Sequence, residues 1–264
     1  MQSINIHITL RTKDLVIGYN NNREETSIAK NLNIDCKKGE LIALVGINGS
    51  GKSTLLRTLA GLQKPLAGAV YINDKEITKV TPALLAQQLS VVLTNQAISK
   101  NLTVAELVAL GRQPYTNWLG TLTEVDKDII ITALKRTETY ILKDKKCYEL
   151  SDGQLQRVLI ARALAQDTPI IMLDEPMTHL DLHHKASILN LLARIATEEH
   201  KTIIFSTHEI DYALTRCDKM IVMKERQALY DTPEALIAQG VFDVLFPSQN
   251  VGFDRKNRIF FLKR

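Results

Sequence analysis

Cysteine is scarce in this sequence: Cys36, Cys147 and Cys217 are the only three, odd in number, far apart and outside any C-x-x-C spacing. That argues against a disulfide framework or a zinc site and points to a reducing compartment. Long hydrophobic runs are missing too. Apolar stretches such as Leu41–Val45 and Ile170–Leu173 fall far short of the roughly 20 residues needed to cross a bilayer. Met1 to Asp14 lacks a basic region followed by an apolar one, so no secretory leader is predicted. Work at a membrane must then go through a partner. Charge of one sign is not in excess either: the formal net charge is +4 with basic residues scattered, which leaves no footprint for nucleic acid. Internal repeats and low-complexity segments are absent.

What is present suffices for a sizeable core, with 45% of the 264 residues hydrophobic and 23% charged. Short apolar runs read as buried strands: Leu41–Val45, Leu89–Leu93, Ile170–Leu173, Thr202–Phe205 and Met220–Met223. Helical patterns follow at Lys52–Ala60, Gln154–Ala165, His183–Glu198 and Ile210–Arg216, the alternation of an α/β chain with a mainly parallel sheet covered on both faces. Ahead of these, Ile8–Ile17 and Ile28–Cys36 alternate around an Asn20-Asn21-Asn22 turn, which predicts an antiparallel β layer. Val104–Leu110 and Asp126–Leu142 predict helices around a loop with Pro114, Trp118 and Gly120, so residues of about 97–165 read as an inserted helical subdomain. From about 232 to 264 a short helix, Pro233–Gln239, and two β-like pieces around Arg255-Lys256-Asn257 form a small tail. The whole, 1–264, is expected to be one domain.

Chemistry concentrates in three places. Gly46-Ile-Asn48-Gly49-Ser50-Gly51-Lys52-Ser53-Thr54 matches GxxxxGK[ST] between a buried strand and a helix, the setting a P-loop requires. There backbone N–H groups turn onto phosphate oxygens, the helix start adds a favourable dipole, Lys52 reaches the β and γ phosphates, and Ser53 can ligate Mg²⁺. A glycine-rich turn alone is the bland alternative, and the complete motif in context outweighs it. Ile170–Leu173 then ends in Asp174 and Glu175, at the strand end where α/β sheets bind ligands. Asp174 would hold Mg²⁺ through its water shell as a Walker-B acid, and Glu175 would deprotonate the attacking water. A solvated acidic strand end is common by itself, less so beside a P-loop.

The third element is Leu150-Ser151-Asp152-Gly153-Gln154 before an apolar helix. Ser151-x-x-Gln154 is an ordinary capping box, and a helix start with a serine hydroxyl also binds phosphate well. With the P-loop, the helical insertion and the acidic strand in this order, the segment resembles the LSGGQ signature of ABC-type ATPases, and the resemblance runs from about Thr9 to Thr232. It implies ATP and Mg²⁺ as cofactors, with Gly46, Asn48, Gly49, Ser50, Gly51, Lys52, Ser53 and Thr54 around the phosphates and Tyr19 stacked on adenine. It further implies Asp181 as the D-loop acid, His208 as the switch histidine near the γ phosphate, and Ser151, Asp152, Gly153 and Gln154 acting on the nucleotide of a second copy in an ATP-bound homodimer.

Two departures stand out. Asp152 replaces the usual glycine; facing the triphosphate it would repel it, whereas facing outward it would favour the helix dipole, and the outward orientation is preferred. The family's Q-loop glutamine, a ligand of Mg²⁺, falls on Gln96 displaced by two or is replaced by Thr94; Gln96 is preferred. His179, Asp181 and His183 could suggest a metal site, yet their order matches no hydrolase motif. The run from Leu102 through Gly111-Arg112-Gln-Pro114 resembles the ATPases of iron-siderophore, haem and vitamin B12 importers. That implies integral membrane permease subunits as partners, a substrate-binding protein acting indirectly, and a peripheral position on the cytoplasmic face of the inner membrane. An exporter ATPase would share every motif. A soluble chromosome-maintenance ATPase would carry a long coiled-coil or zinc-bearing insertion between Lys52 and Ser151, and a P-loop kinase would lack the signature.

Overall fold

The computed structural model describes residues 7–21, 24–94, 98–246 and 250–263. The chain opens on β1 (Ile8–Asn21), whose far half pairs antiparallel with β2 (Glu24–Leu32) and whose start pairs with β3 (Asp35–Lys37). The sequence predicts a single returning strand, Ile28–Cys36; the structure starts it earlier and breaks it at 33–34. Asn31 takes a left-handed φ of 55°, and the Asn33 side chain exchanges hydrogen bonds with Asp14, so local polar bonds displace the ladder there.

Next come β4 (Leu41–Gly46), buried throughout, and α1 (Lys52–Leu59). β5 (Ala67–Ile72) and β6 (Lys75–Glu76) then return to the antiparallel layer, Leu10 opposite Ile72 and Thr12 opposite Val70. The short α2 (Pro82–Leu85) leads to β7 (Leu89–Val92). Three helices follow, α3 (Val104–Ala109), α4 (Glu124–Arg136) and α5 (Asp152–Ala165). The chain re-enters the sheet through β8 (Ile170–Leu173), α6 (Leu182–Glu199), β9 (Thr202–Ser206), α7 (Ile210–Arg216), β10 (Lys219–Lys224) and β11 (Gln227–Asp231). It closes with α8 (Pro233–Ala238) and a ribbon of β12 (Val251–Asp254) and β13 (Ile259–Leu262).

The larger sheet has the order β11-β10-β4-β9-β8-β7, parallel from β10 to β7 with β11 antiparallel at the edge. Its period-two alternation divides the core. Ile42, Leu44, Met172 and Ile204 face α1 and the antiparallel layer, while Leu41, Ala43, Val45, Leu173 and Phe205 face the helices of the other side. A buried hydroxyl pair, Thr9 and Thr202 at 2.7 Å, ties the two sheets together. The fold is thus the α/β arrangement expected, a mainly parallel sheet with an antiparallel layer and helical insertion.

The predicted helix Asp126–Leu142 is shorter. It begins at Glu124 behind a Thr123 capping box and stops at Arg136, since Glu138 is left-handed at φ 60°; only one tight turn, Tyr140–Leu142, follows. α3 likewise runs on as a tighter 3₁₀ turn, Leu110–Tyr115, that contains Pro114. Among the described residues no helix is long and apolar enough to cross a membrane.

Candidate functional site

The C-terminal ends of β4, β8 and β9 open on one crevice, and the loops that leave them carry the polar residues singled out by sequence. After β4 the backbone must curl tightly to start α1, and two glycines make that possible. A Cβ on Gly46 would lie 2.6 Å from Ser50 Oγ and 2.7 Å from the Met223 carbonyl; one on Gly51, at φ 101°, would lie 2.4 Å from the Ile28 methyl. Lys52, 6% exposed, folds back to donate to the carbonyls of Gly46 at 3.0 Å and Ile47 at 3.4 Å. Burial pulls its pKa below the ordinary lysine value, against the raising influence of Glu175 and Asp174. Ser50 Oγ is buried with no hydrogen-bond partner among the described residues. The loop therefore contains a closely drawn backbone, a buried ammonium without a carboxylate in ion-pair reach among the described residues, and an orphaned hydroxyl. That donor set fits a phosphate group.

Asp174 follows β8 and is 7% exposed. Its N–H donates to Val92 O at 2.8 Å, and its Oδ1 accepts from Ser206 Oγ at 2.6 Å and from Ser53 Oγ at 3.4 Å. Glu175 has a left-handed φ of 49°, held by its N–H donating to Ser206 Oγ at 2.9 Å. Its carboxylate meets His208 Nε2 at 2.8 Å and accepts from Thr178 Oγ1 at 3.1 Å. A carboxylate and an imidazole thus form a dyad beside the P-loop. Hydroxyl and carboxylate oxygens at Ser53 and Asp174 are the hard donors that suit Mg²⁺.

Tyr19 is 48% exposed on β1, its hydroxyl sharing a 3.0 Å hydrogen bond with Thr54 Oγ1. Ser151 caps α5 in the expected box, accepting from Gln154 N at 3.3 Å while the Gln154 side chain accepts from Ser151 N at 3.1 Å. Asp152 is exposed and lines a cleft of about 290 Å³ with Thr94, Asp174, Glu175 and His179 of its own chain. Gly153 is buried against His184. Asp181 caps α6, and Asn48 and Gly49 lie at the outer lip of the P-loop.

Gln96 lies outside the described residues. Its alternative, Thr94, donates through Oγ1 to the Asp174 carbonyl at 2.8 Å and so braces the end of β8. No group of three or more His, Cys, Asp or Glu side chains among the described residues is arranged to hold a metal. Sequence reasoning missed Ser206, the hydroxyl that links Asp174 to the Glu175 backbone. Its signal was modest: a polar residue after the apolar Ile203–Phe205 run, two positions before His208.

A family model described as ABC transporter matches residues 29–178. An uncharacterized ABC transporter ATP-binding protein of Methanocaldococcus jannaschii is 38% identical over 255 residues, covering 96% of this chain and 87% of that protein. The iron(3+)-hydroxamate import ATP-binding protein FhuC of Bacillus subtilis is 39% identical over 217 residues, covering 82% of this chain and 79% of FhuC. A dimeric ATP-binding cassette, solved in a post-hydrolysis state with ADP and Pi bound, superposes with a TM-score of 0.73 at 29% identity, over 85% of this chain and 98% of that one. With a family model over more than half its length and a relative along nearly all of it, the chain belongs to the ABC transporter family.

Proposed function

We propose that this chain is the ATP-binding and hydrolysing subunit of an ABC importer, powering uptake of an iron-siderophore, haem or cobalamin-type cargo through separate integral membrane permease subunits. The observation that carries the hydrolytic part is the 2.8 Å contact between Glu175 and His208 beside Asp174 and the P-loop. Tyr19 stacks on adenine, and the backbone of Gly46 to Thr54 wraps the phosphates. Lys52, released from the Gly46 and Ile47 carbonyls, turns onto the β and γ oxygens. Ser53 and Asp174, with Gln96 from outside the described residues, would hold Mg²⁺, which neutralises phosphate charge when bound. Glu175 takes the proton of the attacking water, and His208 orients Glu175 and the γ phosphate.

One chain supplies half of each site. Ser151 and Asp152 are exposed at the start of α5, with Gln154 half-buried and Gly153 buried behind them, and Asp181 is exposed at the start of α6; these helix starts are suited to complete the site of a second copy in an ATP-bound homodimer. The 1–264 chain acts as a single ATPase domain whose helical part, about 97–165, meets the permease, with about 232–264 as a packed tail. A substrate-binding protein delivers cargo outside. The subunit sits peripherally at the cytoplasmic face of the inner membrane, as the likeness to an import ATP-binding protein and the lack of a spanning helix among the described residues support. Affinity purification of Glu175→Gln from detergent-solubilised membranes with MgATP tests the reading. Recovery of a polytopic importer permease is expected. An exporter membrane subunit would move the assignment to export, and soluble or DNA-associated partners alone would remove transport.

A further inference from the structure

Gly153 stands in the first turn of α5, where glycine costs a helix about 1 kcal/mol relative to alanine. It is not among the glycines with left-handed φ, so the backbone does not demand it. What excludes a side chain is the imidazole of His184. A Cβ on Gly153 would lie 2.5 Å from His184 Cδ2 and 3.2 Å from Cγ and Nε2. The imidazole is itself fixed. Its Nδ1 and the His184 backbone N–H both lie 2.8 Å from Asp181 Oδ1, so the ring donates from Nδ1, and the His183 ring stands edge-on with centroids 5.7 Å apart. These bonds hold Asp181 below the usual carboxylate range, the backbone bond contributing most. One aromatic ring thus spans the starts of α5 and α6 within a single chain.

We propose that His184 is a positioning residue that sets the spacing between the signature turn and the Asp181 carboxylate, so that both reach the partner's nucleotide together. A rigid ring suits this because small misplacements of groups that act on a reacting centre cost rate steeply. His184 meets the starts of both helices, and its effect passes through Gly153 and Asp181. The inference rests on the ATP-sandwich reading above.

The test uses the full chain. ATP-driven dimerisation is followed by light scattering in a Glu175→Gln background, ATPase kinetics with Glu175 intact, and ADP affinity on the monomer. His184→Ala is expected to lower kcat at least tenfold and to raise the ATP concentration needed for dimerisation at least tenfold, with ADP affinity changed less than twofold. His184→Asn, which keeps a donor at the δ position, should recover part of both. Dimerisation and kcat unaltered in His184→Ala would overturn the inference, as would an equal loss of ADP affinity, the mark of a general structural role. A Glu175→Gln parent that never dimerises with ATP overturns the sandwich reading and the inference with it, whereas a dimerising parent with indifferent His184 variants overturns the inference alone.

Discussion

Lys52 in the P-loop and Arg112 in the helical region are both 6% exposed, yet their surroundings differ in kind. Arg112 has its counter-charge in place: Nε reaches Asp126 Oδ1 at 2.8 Å, Nη1 donates to Ala165 O at 2.9 Å, and the guanidinium lies 4.0 Å above the Tyr115 ring. Asp126 in turn accepts from the Thr123 hydroxyl and backbone N–H at 2.6 and 2.8 Å. Lys52 has two carbonyls and no counter-charge in ion-pair reach among the described residues. A buried charge with its counter-charge in place is structural, and one kept waiting is aimed at a ligand. The Gly-Arg112-Gln-Pro114 run, which in sequence resembles the siderophore and cobalamin import ATPases, also forms a clamp that joins the turn after α3 to α4 and the end of α5.

The comparison can be broken in order of expected effect. On the ligand side, Glu175→Gln should reduce phosphate release by a factor of about 10² to 10⁴, the range of general base catalysis, while fluorescent ATP analogues still bind. On the structural side, Asp126→Asn strips Arg112 of its counter-charge and should cost about 3 kcal/mol in urea unfolding. Its acid signature is specific. The Thr123 hydroxyl, the Thr123 N–H and Arg112, in that order, hold the Asp126 pKa down to about 2. A depressed carboxylate contributes stability above its unfolded value of about 3.9 and loses it as pH falls through about 2. The gap between wild type and Asp126→Asn should therefore narrow as pH drops from about 4 to 2.

Ser151→Ala removes a cap and should cost about 1 kcal/mol of stability, with a larger loss in ATP-driven dimerisation than in ADP affinity. The smallest stability change belongs to Lys52→Met. Removing an unpaired buried charge should leave the nucleotide-free protein within about 1 kcal/mol of wild type, yet abolish the rise in Tm on adding MgATP. Burial lowers the Lys52 pKa, so the wild-type penalty should ease as pH rises toward the ordinary lysine value of about 10.4. A severe loss of apo stability in Lys52→Met would erase the distinction between the two cations.

Local grammar made much of this legible. The P-loop, the acidic end of β8 and the capping box of α5 each depend on a few consecutive residues, and the strands around them are short apolar runs with clear limits. Long-range pairing was not legible. β5 joins β1 across the whole of β4 and α1, and nothing in Ala67–Ile72 announces that partner. Left-handed residues at Asn31 and Glu138 ended elements that hydrophobic period alone would have continued. Ser206 and His184 were passed over because their roles exist only once β9 lies beside β8 and α6 beside α5.

Glu175 holds a backbone conformation, φ 49°, in which any residue but glycine is disfavoured by about 1 kcal/mol or more. A laboratory screen for heat resistance alone would tend to replace it with glycine, and, with Glu175 as the proposed base, each such winner is expected to be sturdier but much slower in ATP turnover. Thermostability ranking and functional ranking of variants are therefore expected to run in opposite directions at this position.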